Sequence, residues 1–506
     1  MIEVEVHQQL RQLLRQSPDA VWPHQLTMAR LVARGLRLGR NALIQVPEGD
    51  HHRLSYLLPA LMWSGATLLC VSEAVQAQIL RVEIPWLQEA LQLNKPVLQS
   101  SVWPGDDFQG LWVMDPLTWL RHRLTAEGIP IPSHIPLILD QAEHLETWLH
   151  TVLTLTLTAS DWHRLQRAVP LLSETIGDTQ IRLTVALLQR PLAEFLLHEE
   201  ELKLLKDFLW ELRPFAGDHW PSVWLTLQQR LGDPCFCWWA RVDRQTGQVT
   251  LLSSPLAFSA LLSSLWLSQP FVMMGESLDL DRNALSFRQR FGLPDLTSLR
   301  FPSALAADLA QPPLTLYTPP LPPPNTPQFR DQVISELKQL ICQIEGSSVV
   351  LVSDQPLQTQ IAASLAAEFG SRVRLNLPHA VERGILVCDW DYWLTQRESL
   401  PIPQLLGIAT LPFPSMEDPL VAGRVEHMRQ QRQDWFRTYL LPTAASKLQR
   451  AIAPLRSPRS SSQLRDEGSL PQLAILDSRI LYRSYGHHLL AALGPLVQVR
   501  HRHRLP

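Results

Sequence analysis

The chain has little cysteine, five residues in 506, which excludes a disulfide-stapled scaffold, and their spacing fits no zinc-binding pattern. Charge is sparse, at 18% of residues, and nearly balanced: 45 basic and 48 acidic side chains leave a net charge of −3. That balance excludes a globally basic nucleic-acid coat and a strongly acidic tail protein. A long apolar run is also missing. The stretch 245–275 carries no charge, but Pro255 and Pro270 divide it into a helix followed by a short strand. A membrane-spanning helix wants about 20 uninterrupted apolar residues, so none is expected. The opening residues, MIEVEVHQQLRQLLRQ, hold acids and lack the apolar centre of a signal peptide. No membrane association, reduced thiols and a cytoplasmic location are therefore expected. There is no G-x-S-x-G nucleophile motif and no repeat of fixed period.

What is present suits a large globular protein. Hydrophobic residues make up 45% of the chain, and its length allows about three to four domains at roughly 100–200 residues each. Residues 1–40 read as two amphipathic helices broken at Ser17-Pro18. Strands are expected at 41–46, 66–72, 111–114 and 135–139, with helices between them. Near-continuous apolar strands alternating with helices predict a parallel α/β sheet. Long helical patterns dominate 141–240, and 195–212 reads as one helix. LTLTLT at 153–158 has period two, and the segment around Arg244-Gln-Thr-Gly247 reads as a hairpin. A proline-rich stretch, QPPLTLYTPPLPPPNTP, follows at 311–327. After it, α/β alternation resumes, interrupted by a polar segment at 457–469 read as a mobile loop. The expected architecture is α/β: two RecA-like parallel-sheet lobes with a mainly helical insert between them. The first lobe is placed at 1–145 with a return at 251–310, the insert at 146–250, the linker at 311–327 and the second lobe at 328–506.

Several segments, in order along the chain, resemble the DinG/XPD-type superfamily-two DNA helicases. LSYLLPAL at 54–61 looks like the helix after that family's P-loop, and LILDQAEHL at 137–145 like its DEAH box. LLSSPLAFSALL at 251–262 is similar to the stretch leading to motif III. LPFPSMEDPLVAGR and the residues after it, 411–451, resemble the approach to the last helicase motif. ILDSRILYRSYG at 475–486 resembles the family's terminal signature. The resemblance implies two RecA-like lobes, ATP and Mg²⁺ as cofactors, and ATP-dependent DNA unwinding in repair or replication.

The residues that would carry this chemistry are largely replaced. A P-loop needs glycines for close backbone approach to phosphate, a lysine for the β/γ-phosphates and Ser or Thr for Mg²⁺. Alignment on LSYLLPAL puts His52 at the lysine position and Arg53 at the Ser/Thr position. Pro47 and His51 stand where glycines are wanted, and only Gly49 remains. In the DEAH equivalent Asp140 is kept for Mg²⁺. Gln141 replaces the water-polarising glutamate and cannot act as a base. Glu143 lies two residues on, so its side chain takes a different direction. In the last motif Gln449 and Arg456 match, while the first arginine position is Ala453 and the glycine position Ile452. The family's FWEGxD becomes Tyr392 to Arg397, and its TSATL becomes Met274 to Leu278. Gln25 stands at the adenine-reading position. Only Cys70 lies where many family members hold four cluster cysteines, so no iron–sulfur cluster is expected. Each lost group is typically worth on the order of 10²-fold or more in rate, so hydrolysis should fall close to background.

Other candidate sites are weaker. The adjacent pair His51-His52 lacks the ligand set of a metal site, and no metal site is expected; Cys235-x-Cys237 could suggest redox chemistry but reads as a buried pair. Cys342 and Cys388 read as core, as do Trp86, Trp119 and Trp210, which sit at apolar-periodic positions. From Arg424 to Pro506 there are 14 basic and 5 acidic residues, a balance of +9. Arg424, Arg450 and Arg456, with the tail Arg500 to Arg504, are therefore candidates for contact with single-stranded or junction DNA. Three functions stay open: a DNA-binding helicase homologue that has lost hydrolysis and unwinding, an active helicase using Arg53, Asp140 and Arg456, and a non-enzymatic scaffold for a protein partner that the sequence does not specify.

Overall fold

A computed structural model describes residues 1–16, 22, 24–47, 52–125, 128–215, 220–301, 314–377, 383–397, 399–456 and 471–499. Gly49, His51, the polar 457–469 segment and the Arg500–Arg504 tail lie outside the described residues.

Among the described residues, eighteen strands form three sheets. The first is built from β1 (Ala42–Val46), β2 (Thr67–Cys70), β3 (Val97–Gln99), β4 (Leu111–Met114), β5 (Leu137–Leu139) and two strands that return after the insert. The insert carries β6 (Leu155–Leu157), β7 (Glu194–Leu196), β8 (Phe236–Asp243) and β9 (Gln248–Pro255). The returning strands are β10 (Phe271–Glu276) and β11 (Thr297–Arg300). The third sheet comprises β12 (Leu314–Tyr317), β13 (Ser348–Leu351), β14 (Val373–Leu375), β15 (Ile385–Cys388), β16 (Leu405–Ile408), β17 (Gln472–Ile475) and β18 (Leu496–Val499).

The first sheet runs β11-β1-β10-β5-β2-β4-β3 and the third β14-β15-β13-β16-β17-β12-β18, with every pairing parallel. Parallel strands need helical crossovers, and the crossovers cover both faces, which is why the central strands are apolar at nearly every position. Successive side chains go to opposite cores. Leu43, Leu68 and Trp112 pack on one face of the first sheet, and Ile44, Leu69 and Val113 on the other. The third sheet is covered in the same way, with Leu351 and Leu386 on one face and Val350 and Val387 on the other. These two sheets are the RecA-like lobes expected from the sequence.

The insert is mainly helical, as expected, and carries a small sheet besides: antiparallel β6-β9-β8-β7 packs on helices 159–168, 173–188, 199–212 and 222–230. The ring of Trp162 lies 4.8 Å from Trp224 and 5.5 Å from Phe208 at the centre of its core. The expected hairpin around Gly247 is the β8–β9 pair. The predicted helix 195–212 begins only at Glu199, because Phe195 and Leu196 pair with β8 as part of β7.

The proline-rich 311–327 stretch also differs from a plain connector, since Leu314–Tyr317 is a strand between β17 and β18. Its alternating burial was hidden by the prolines on either side. Trp119 is fully buried, whereas Trp86 and Trp210 are 44% and 70% exposed. In helix 199–212 the core face is taken by Leu205, Phe208, Leu209 and Leu212, so Trp210 is turned off it. Cys388 is buried, but Cys342, at the last turn of helix 327–342, is exposed. The uncharged 245–275 stretch is β9, a helix of 10 residues and most of β10. Among the described residues no helix is long and apolar enough to cross a membrane.

Candidate functional site between the lobes

Open parallel sheets bind ligands beyond the carboxyl ends of their strands. At that edge of the first sheet, His52 lies just before helix 54–62, Asp140 directly follows β5 and Glu276 ends β10. Asp140 is buried, and three donors meet its carboxylate. His52 Nε2 lies 3.0 Å from Oδ1 and 3.2 Å from Oδ2. The Tyr56 hydroxyl donates to Oδ2 at 2.9 Å, and the Gln141 backbone N–H donates to Oδ1 at 2.8 Å. Burial by itself raises the Asp140 carboxyl, but His52 and the other donors hold it below its ordinary value. Burial and the adjacent Asp140 push the Tyr56 phenol well up, so Tyr56 remains a donor.

The neighbouring positions face elsewhere. Gln141 has left-handed backbone (φ 60°), and its side-chain oxygen accepts the Ser72 N–H at 3.2 Å. Arg53 donates to Glu83 at 2.8 Å. Gln25 is buried at the start of helix 25–38, and its carbonyl accepts the Ser55 hydroxyl at 3.1 Å. Arg456 donates to the Leu493 carbonyl, and Gln449 to that of Ala492 at 2.8 Å.

The second lobe closes over this edge with arginines. Arg397 reaches Glu276 at 2.5 Å and also donates to the Arg450 carbonyl at 2.5 Å. Arg450 meets His144 Nε2 at 3.1 Å. Burial and the Arg450 charge bring the His144 imidazole down to about 4, so it stays neutral and accepts. Glu143 accepts the Glu276 N–H at 3.0 Å, and its carboxyl is pushed up to about 7, mainly by burial, with Arg450 opposing. Nearby, Glu146 receives both Arg424 and Arg290, the latter at 3.1 Å. Burial is outweighed there, and the two guanidinium groups hold the carboxyl far below the carboxylate range. The Arg424 guanidinium also lies over the Tyr439 ring, 4.1 Å from its centroid.

The sequence-derived candidates thus divide. His52, Asp140 and Gln141 come together, while Arg53 and Arg456 are committed to other partners. Arg424 and Arg450 are buried between the lobes instead of lining an open basic surface. Tyr56, Glu146 and Arg290 were missed, because nothing local marks an apolar-helix tyrosine or a helix-face glutamate as a cleft residue. Glu276 and Arg397 did leave a signal. They are opposite charges introduced at two altered motif positions.

This set does not fit a Mg²⁺–nucleotide centre. The carboxylate that would organise the metal is taken up by His52, Tyr56 and the Gln141 N–H, the glutamine beside it cannot activate water, and Arg456 is spent on a backbone carbonyl. Among the described residues no group of three or more His, Cys, Asp or Glu could hold a metal ion.

Two parallel-sheet lobes with an insert interrupting the first form a fold shared with solved helicases. The fold is that of XPD helicases. One XPD helicase structure aligns over 94% of this chain and 99% of its own, at TM-score 0.59 and 11% identity. S. tokodaii Xpd4 aligns over 94% and 99%, at TM-score 0.57 and 13% identity. In sequence, the ATP-dependent DNA helicase YoaA of Escherichia coli (strain K12) is 25% identical over 284 residues, 54% of this chain. The match spans 43% of that relative's length. No family model matches the chain. The chain is thus similar to a DinG-like helicase over about half of its sequence and to XPD helicases in fold over nearly all of it.

Proposed function

We propose that this protein is a DNA-binding helicase homologue in which ATP hydrolysis and unwinding have been lost. The observation that carries the reading is the saturated Asp140 carboxylate, with His52 where a motor needs lysine. The contacts of Arg397 with Glu276 and of Arg450 with His144 support it, since they join the lobes through side chains. In a motor of this type the nucleotide phosphates do that joining. DNA is the partner this reading takes from the helicase relatives, and the cytoplasm is its expected place of action. The test is Mg²⁺–ATP calorimetry on the purified chain, with phosphate release in the presence and absence of single-stranded DNA. Neither heat of binding nor strand-stimulated turnover is expected. Turnover that rises when single-stranded DNA is added would overturn the reading and favour an active helicase with a divergent site.

A further inference from the structure

Helices 2–16 and 25–38 pack together through Val6, Leu10, Ala29 and Ala33. Arg37 donates to Glu3 at 2.8 Å, which sets the start of the first helix beside the end of the second. The pair is therefore antiparallel. Its solvent side is unusual. Along helix 25–38 the exposed positions run Thr27, Arg30, Arg34, Arg37 and Leu38, followed by exposed Arg40. On the first helix Arg11 and Arg15 are exposed one turn apart, at the end that lies beside the start of the second. Of these six arginines only Arg37 has an acidic partner among the described residues.

Folding does not account for this stripe. Like charges three or four residues apart destabilise a helix, by roughly 0.2–0.5 kcal/mol per pair. Cations complement the helix dipole only in the last turn, which covers Arg37 but not Arg30 or Arg34. Helix 25–38 has no acid in its first turn to offset them. Residues 1–40 hold six arginines against Glu3, Glu5 and Asp19, in a chain whose net charge is −3. The positive face is thus local.

We infer that this arginine stripe is a binding surface for the phosphate backbone of a nucleic acid. Arginines recur along it about every 4.5–6 Å, from spacings of three or four residues at a helical rise of about 1.5 Å per residue. A regular polyanion matches that repeat, and the arginine fork suits phosphate oxygens. A bilayer is a poor match, because the apolar faces of both helices are used in the core and cannot enter lipid. The contacts are to backbone charge alone, so binding is indifferent to base sequence. The inference rests on the DNA-binding reading above and gives that reading a location.

The test compares the full chain with the triple variant Arg30→Gln, Arg34→Gln, Arg40→Gln, using a labelled oligothymidine strand, a labelled duplex and polyglutamate over a salt series. Glutamine keeps helix propensity, and thermal unfolding of the variant should match or exceed that of the parent. The log–log salt slope is expected to flatten by about 2–3 in the variant, from about 0.7 per contact on a single strand and 0.9 on a duplex. A control, Arg167→Gln with Arg182→Gln on the exposed surface of the insert, should leave the slope unchanged. Binding by the parent with the same slope in the triple variant would overturn the location and leave the DNA reading standing. Absence of binding by the parent would overturn both. Equally tight polyglutamate binding, equally weakened, would overturn nucleic acid as the partner.

Discussion

Arg397 of the second lobe lies 2.5 Å from Glu276 at the end of β10 in the first, and both side chains are more than nine-tenths buried. A buried ion pair adds little net stability compared with apolar packing, because desolvating two charges costs about what their attraction returns. Removing one partner is different, since it strands the other charge. Arg397→Ala or Glu276→Gln is expected to lower unfolding stability by about 3–5 kcal/mol. Replacing both with leucine should cost much less than the two single changes added together. Urea denaturation of the four proteins checks this, and additive losses would show that the pair does not couple the lobes.

The cleft also sets a pH dependence. Glu143 titrates at about 7 in the folded chain against an ordinary 4.5. Across that window the folded state keeps a proton that the unfolded chain has released, so stability falls as pH rises. His144 acts with the opposite sign. Its imidazole is brought down to about 4 from 6.5, so the unfolded chain binds the extra proton there and stability rises with pH. The imidazole is 39% exposed and gives the weaker contribution. The two effects oppose each other from 4.5 to 6.5, and only the fall due to Glu143 continues to about 7. Glu143→Gln is expected to gain stability relative to the parent as pH rises through this window and to hold the gain above it. Denaturation curves at several pH values test the sign, and a difference independent of pH would place the titration elsewhere.

Much of this was legible in the residues, and the exceptions share a cause. The lobes could be read because buried parallel strands are written as apolar runs such as LWVM and ILVC. The replaced motif residues could be read because phosphate chemistry needs particular side chains at fixed spacing. Partnership across the chain could not be read. Arg424 and Arg450 counted towards a basic face until the fold set them against Glu146 and His144, 278 and 306 residues earlier in the chain. Trp210 failed for a local reason, since its helix has enough leucines to fill the core without it.

His52 and Asp140 provide a separate check on the dismantled cleft. His52→Ala removes one of three donors to a buried carboxylate, which is worth about 1–3 kcal/mol. It also relieves a force that holds the Asp140 carboxyl low. A depressed carboxyl stabilises the fold above its unfolded pKa, and that contribution is lost as pH falls through the folded value. With the folded value raised, the variant should unfold at a higher pH than the parent during acid titration. His52→Lys restores the residue a motor needs, yet Gln141 and Ala453 remain, so no ATP turnover is expected. Turnover in that single variant would mean that the other groups still make a working site.

The insert meets the second lobe at a tight contact beside Gly423. A Cβ on Gly423, in helix 419–430, would lie 2.6 Å from Cys237 Sγ and 3.4 Å from Leu256 Cδ2. Cys237 belongs to β8, and its thiol also points at the Pro419 carbonyl, 3.6 Å away. Gly423→Ala therefore overpacks the junction and should cost about 1–3 kcal/mol. The strain falls on one sulfur, so Cys237→Ala makes room for the added methyl. Combined with Gly423→Ala, it should recover part of the loss, a non-additivity expected of residues in contact. Hydrogen exchange separates this from general destabilisation. Gly423→Ala should speed exchange in β8 and β9 and leave β13 and β16 protected, whereas uniform acceleration would show that the contact does not hold the insert in place.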